Sequence, residues 1–179
     1  RTTSSAASDV YKRQVVRQGL IDALMPHAQA RALSDIDHVE LPDHVLMPGL
    51  VNAHGHAGMT LLRGYADDMS LASWLNDKIW PLEARWVSPE FVRDGTDIAA
   101  AEMLLSGITT TSDMYFFPDI AAQSLRAAGM RTQLVFPVMN IETAWAKNAE
   151  EYFEKGLALR DYFRNCLLYT SDAADEVVR

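Results

Sequence analysis

The stretch Leu46-Met-Pro-Gly-Leu-Val-Asn-Ala-His54-Gly-His56 decides the fold. Pro48-Gly49 makes a turn, and Leu50-Val51 is an apolar run too short for a helix, bounded as a buried parallel strand is bounded. The strand ends on His54 and His56. Residues two apart in an extended chain project from one face, so the two imidazoles converge and offer a metal two nitrogen ligands. Gly55 keeps the other face free of bulk and lets the backbone bend where strand meets loop. A His-x-His pair alone is equally compatible with two histidines on a surface loop; the turn, the strand and the long segment that follows give it its meaning.

Beyond the pair the chain reads Ala57-Gly-Met-Thr-Leu-Leu-Arg-Gly64, then Asp67-Asp68 and a segment holding Trp74, Trp80 and Trp86. Such aromatic βα segments either pack over the mouth of a barrel or bind ligand there. Ser88-Pro89-Glu90 is a helix start, with an N-cap serine, proline at the first helical position and an acid in the first turn. Phe91, Val92, Gly95, Ile98, Ala99 and Met103 recur at helical spacing through to Ser106, and Gly107 stops the helix. Ile108 to Met114 is rich in β-branched residues and predicts a second strand carrying Asp113 near its end. A helix over Pro118 to Ala128, a strand over Arg131 to Val138, a loop holding Trp145 and a helix from about Asn148 to Arg164 complete a βαβαβα order. That order implies a parallel sheet with right-handed crossovers.

Ahead of the pair, Val15 to Leu24 predicts two strands joined by a turn at Gln18-Gly19. A helix-tolerant stretch from His27 to Ser34, a third strand over Val39 to Leu41 and a turn at Pro42-Asp43 follow. His27, His38 and His44 are expected at the surface or in turns, not as ligands.

The two ends have a separate origin. One DNA string encoding Ser4 to Gln14, reverse-complemented and read one base on, encodes Cys166 to Glu176. It looks like a transposase-type sequencing adapter, so residues 1–14 and 166–179 are read as translated library DNA and set aside from the fold. Between Val15 and Asn165 there are 12 basic and 20 acidic residues, so the balance stays at the −8 of the whole chain. With no basic stripe, neither nucleic acid nor an anionic membrane surface is expected as a partner. The single cysteine, Cys166, falls in the adapter-like end, which leaves no cysteine for a disulfide, a metal or a nucleophile between Val15 and Asn165. No run of about eighteen apolar residues is present, and a cytoplasmic location is expected. The length suits one ordinary domain but falls short of a (β/α)₈ barrel, which needs roughly 250 residues.

The Pro-Gly-apolar-apolar-Asn-x-His-x-His pattern resembles the opening strand of the amidohydrolase superfamily. The segment that follows narrows the likeness. Met59-Thr-Leu-Leu-Arg-Gly64, Asp67-Asp68, Trp74-Leu75, Trp80-Pro-Leu-Glu83 and Ser112-Asp-Met-Tyr115 together resemble the 5-methylthioadenosine/S-adenosylhomocysteine deaminases. The resemblance implies an α/β fold, the N-terminal part of a (β/α)₈ TIM-like barrel (48–165) with a remnant of a small β-sandwich domain (15–47). It also implies hydrolytic deamination of an adenine nucleoside at C6, with ammonia released.

His54 and His56 are then the metal ligands, for one Zn²⁺ or, as an alternative, Fe²⁺, which lowers the pKa of a bound water. Further ligands and the proton-transfer groups of this family lie on later strands, so no catalytic residue is expected in this stretch and no turnover from it alone. Glu83 aligns with the glutamate that contacts ribose hydroxyls, in keeping with a carboxylate's ability to accept from a vicinal diol; otherwise it is a solvated acid pairing with Arg85 or a helix end. Trp80 is a second candidate for substrate contact. Asp113 either supports the metal histidines or caps the turn after its strand.

Leu134, Val135 and Phe136 stand where some members carry an arginine, which weakens the case for a homocysteine-type carboxylate. The implied partner is a small-molecule nucleoside, with a homo-oligomer as the assembly of the full-length protein. Two readings compete: a triazine or chlorotriazine hydrolase or guanine-type deaminase of the same superfamily, and a non-catalytic barrel homologue used for assembly.

Overall fold

The computed structural model describes residues 12–164 and the backbone of 169–173; the single cysteine, Cys166, lies outside the described residues, as do residues 1–11 of the N-terminal end. The chain forms two compact units that divide between Met47 and Pro48.

In the first unit, β1 (Lys12–Arg17) and β2 (Leu20–Pro26) form an antiparallel pair. Gln18 and Gly19 between them both have positive φ, 51° and 78°, as a two-residue hairpin turn requires. The short helix α1 (His27–Arg31) follows. The third strand expected over Val39 to Leu41 does not form. Those residues have no ladder partners among the described residues, and Val39 and Leu41 are exposed. A strand exists only through a neighbour, and the hairpin presents none to this segment. His38 and His44 are exposed; His27 is half-buried at the start of α1.

The second unit is a four-stranded parallel sheet in the order β3-β4-β5-β6, with β3 at Leu50–Gly55, β4 at Ile108–Met114, β5 at Arg131–Phe136 and β6 at Tyr169–Ala173. The helices α4 (Pro89–Leu105), α5 (Pro118–Ala127) and α6 (Ala149–Phe163) alternate with the strands. β6 comes from the stretch read above as adapter-encoded. Its Tyr-Thr-Ser run has strand propensity, and the free edge of β5 offers unpaired backbone groups to any such segment.

The helix signals operate as the residue types dictate. Ser88 Oγ accepts from the Phe91 amide, Asn148 Oδ1 accepts from the Glu151 amide, and Gly107 adopts φ +80° just past α4. The buried face of α4 consists of Val92, Gly95, Thr96, Ala99 and Ala100. Ile98, expected on that face, is exposed. The apolar stripe lies one step round the helix because Gly95, having no side chain, lets that face approach closest. The core between sheet and helices holds Val92, Ala100, Tyr115, Leu125, Met130, Leu134, Phe136 and Tyr152.

Leu50 and Val51, expected to be buried, are 50% and 65% exposed. β3 is an edge strand among the described residues, so a segment patterned for burial leaves side chains of both its faces, Leu50 on one and Val51 on the other, exposed. No helix among the described residues is long and apolar enough to cross a membrane.

Candidate metal site

His54 and His56 stand at the C-terminal end of β3, where the strand gives way to a 3-10 helix over Ala57–Leu62. The imidazole centroids lie 4.9 Å apart, with the rings nearly perpendicular. The side chain of Asn52 receives the His54 amide at 3.2 Å and so shapes the end of the strand. A Cβ at Gly55 would lie 3.1 Å from Asn52 Nδ2, so any larger residue there would push on the side chain that shapes the strand end.

The tautomer of His56 follows from its partner. Nδ1 lies 2.7 Å from the Met114 carbonyl oxygen, which can only accept, so Nδ1 carries a proton, and whenever the ring is neutral Nε2 is the nitrogen whose lone pair faces a metal. That carbonyl, at the end of the neighbouring strand, orients the ring; sequence reasoning offers Asp113 for this part, with a cap on the following turn as the equal alternative.

Asp113 acts on the backbone instead. Its Oδ1 accepts the Ala57 amide at 2.6 Å, capping the turn that follows His56 rather than the turn after its own strand. Oδ2 is buried with no hydrogen-bond partner among the described residues. Burial pushes the Asp113 carboxyl up to about 6, against the Ala57 amide and the charge of His56, which favour ionisation.

Glu83 comes to this neighbourhood from the aromatic segment. Ser70 caps α2 (Leu71–Ser73), a π-helical turn runs over Trp74–Ile79, and α3 spans Trp80–Trp86. A π turn is rare and shifts the face presented by the residues beyond it, often at functional sites. Here it is followed by a buried Glu83 whose Oε1 accepts from the Tyr115 hydroxyl at 2.7 Å.

The Glu83 carboxyl is held above the usual carboxylate range by burial, opposed by the Tyr115 hydroxyl and the charge of His56. Burial, then the charge of Glu83, raises Tyr115 in turn. Glu83 is buried in the first turn of α3, not solvated, and the Arg85 guanidinium lies 5.1 Å over the ring of Trp86. Trp80 is half-buried at the start of α3, and Trp74 donates from Nε1 to the Ala66 carbonyl at 3.1 Å. Trp145 packs edge-on against Tyr152, whose hydroxyl pairs with Thr143 Oγ1 at 2.6 Å.

The strand ends therefore bring together two imidazoles, one with a defined free nitrogen, a buried aspartate with an unpartnered oxygen, and a buried glutamate held by a tyrosine. These donors suit a borderline divalent cation such as zinc. They are also incomplete: no group of three or more His, Cys, Asp or Glu among the described residues is arranged to hold a metal.

Residues 45–176 match the model of the amidohydrolase family. The chain belongs to that family. Among its amidohydrolase relatives, the 5-methylthioadenosine/S-adenosylhomocysteine deaminase of Teredinibacter turnerae is 51% identical over 152 residues, 84% of this chain and 34% of the relative. The crystal structure of an adenosine deaminase from Xanthomonas campestris with bound zinc superposes with a TM-score of 0.84 at 43% identity, over 91% of this chain and 37% of that one. An atrazine chlorohydrolase from Arthrobacter aurescens, also complexed with zinc, shares the fold with a TM-score of 0.62 at 20% identity, over 70% and 34% of the two chains. The chain thus spans about a third of the length of the relatives it matches.

Proposed function

We propose that the protein containing this amidohydrolase chain is a zinc-dependent deaminase of adenine nucleosides. One observation carries the reading: the histidine pair at the end of β3 and the buried, tyrosine-held Glu83 meet at the same strand ends. His54 and His56 would supply two of the metal's ligands, His56 through Nε2. When bound, the metal contributes Lewis acidity that makes water a competent nucleophile near neutral pH.

The chain's own residues bind and orient. The Met114 carbonyl fixes the His56 ring and tautomer, Asp113 holds the turn beyond it, and Glu83 accepts hydrogen bonds from the ribose diol. Trp80 is a candidate wall of the nucleoside pocket. Overall, water replaces the 6-amino group of the adenine ring, which leaves as ammonia, and an inosine-type product remains. The further ligands and the groups that move protons lie outside this chain.

Leu134, Val135 and Phe136, where some members of the family carry an arginine, are buried and apolar, so these positions offer no cation to an amino-acid carboxylate on the substrate. 5-Methylthioadenosine is therefore expected to be preferred over S-adenosylhomocysteine. Residues 15–47 read as part of a small β-sandwich domain and 48–165 as the opening of the barrel; a cytoplasmic homo-oligomer belongs to the same proposal.

The test is ammonia release by the full-length, zinc-loaded protein from 5-methylthioadenosine, S-adenosylhomocysteine, guanine and a chlorotriazine. Turnover of the first in preference to the others is expected. Turnover of only guanine or the triazine would move the protein to another branch of the family, and no turnover together with no bound zinc would make it a scaffold.

A further inference from the structure

Tyr115 is fixed on every side. It follows Met114, whose carbonyl orients His56, at the end of β4. Its ring lies so close to Gly58 in the turn beyond His56 that a Cβ there would sit 2.7 Å from Tyr115 Cδ1. Phe116 tilts against it at 5.1 Å, and Phe117 takes up a left-handed φ of 50° just before Pro118. A non-glycine residue in that region is strained and persists where its surroundings demand it. The residue is only 5% exposed, so a phenylalanine would serve the packing equally well. A buried hydroxyl is costly unless it is hydrogen-bonded, and this one is spent on Glu83.

We infer that Tyr115 is the positioning residue for Glu83: its hydroxyl, donated to Oε1 at 2.7 Å, holds the carboxylate in the orientation that receives a ribose diol. The inference rests on the reading of Glu83 as the diol acceptor given above. An ionised carboxylate has about four lone-pair directions. The tyrosine takes one at Oε1, which fixes the carboxylate plane and leaves the remaining directions, those on Oε2 among them, for two vicinal hydroxyls. Because the ring also lies against Gly58, the carboxylate is referenced to the turn that follows the histidine pair. Tyr115 thus sets where the sugar lies relative to the metal ligands.

The experiment uses the full-length, zinc-loaded protein and two substrates, 5-methylthioadenosine and 2′,3′-dideoxyadenosine, which lacks the diol. Tyr115→Phe is expected to raise KM for the diol substrate about tenfold, the worth of one hydrogen bond to a charged group. It should leave kcat, zinc content and KM for the dideoxy substrate near their unsubstituted values. Glu83→Ala should raise KM with the same selectivity, and the double variant should be no worse than Glu83→Ala.

If Glu83→Ala is selective and Tyr115→Phe is not, the positioning inference is overturned while the reading of Glu83 stands. If Glu83→Ala leaves KM for the diol substrate unchanged, the reading of Glu83 fails and takes the inference with it. A Tyr115→Phe protein that loses zinc, or weakens both substrates equally, shows a merely structural tyrosine and also overturns it. Should Tyr115→Phe not fold, Tyr115→4-fluorophenylalanine fills the space of the hydroxyl without donating, and the same selective rise is expected.

Discussion

Replacing Gly95 with alanine sets two physical effects against each other and shows which governs the site. Gly95 lies mid-way along α4, where alanine is intrinsically better than glycine by roughly 0.5–1 kcal/mol. Its missing side chain, however, faces the backbone of Gly58: a Cβ would stand 2.3 Å from the Gly58 carbonyl oxygen and 3.0 Å from its Cα. Ordinary contact begins at 3.4 Å, so helix and turn must separate by about 1 Å. Backbone cannot swing aside as a long side chain can, and overpacking of this kind costs about 1–3 kcal/mol.

The expected net effect of Gly95→Ala is a loss of about 1–2 kcal/mol, against the gain that helix propensity alone would give. The turn being displaced begins right after His56, so zinc affinity should fall by about tenfold, the lower end of what disturbing a ligand's support produces. Urea denaturation of the metal-free full-length protein reads the first quantity, and competition with a chelator reads the second. A variant more stable than the unsubstituted protein, with unchanged zinc affinity, would refute the claim that the Gly95–Gly58 contact positions the metal strand.

Other expectations follow from single groups. The Asp113 carboxyl is raised from 3.8 to about 6 in the folded state. Its contribution to stability is therefore fully present below about pH 4 and lost as pH rises through 6, an amount of about 3 kcal/mol. In the metal-free full-length protein, the stability difference between the unsubstituted form and Asp113→Asn should change by that amount across this window; a pH-independent difference would remove the buried charge from the account. The 179-residue chain by itself should aggregate, because β3 is an edge strand among the described residues and Leu50, Val51, Leu105 and Tyr162 are exposed. A monodisperse monomer with a sharp cooperative melt would contradict that.

Most of the element order was legible because it is written locally. Serine or asparagine before a helix, proline at its first position, glycine after it and β-branched runs between them each act within a few residues. Val39 to Leu41 failed because a strand needs a partner, which no local pattern supplies. Ile98 failed because the face that α4 buries is set by the approach of Gly95 to Gly58, from a different element.

The same division holds at the site. His54 and His56 sit two apart on one strand and could be paired by periodicity. The groups that orient them could not: Met114 is 58 residues from His56, and its contribution is a backbone carbonyl, which has no residue signature. Glu83 was singled out by resemblance, but it follows a π turn that shifts the helical register, and its tyrosine lies 32 residues further along the chain. A tyrosine at the tip of a strand, in a sequence with a buried acid to satisfy, was the one available signal for it.

The most direct measurement is the zinc content of the full-length protein beside its His54→Ala/His56→Ala variant, each purified in the presence of zinc and dialysed. About one zinc per chain in the unsubstituted protein and essentially none in the variant is the predicted result. Full zinc occupancy in the double variant would contradict the assignment of the metal to the end of β3.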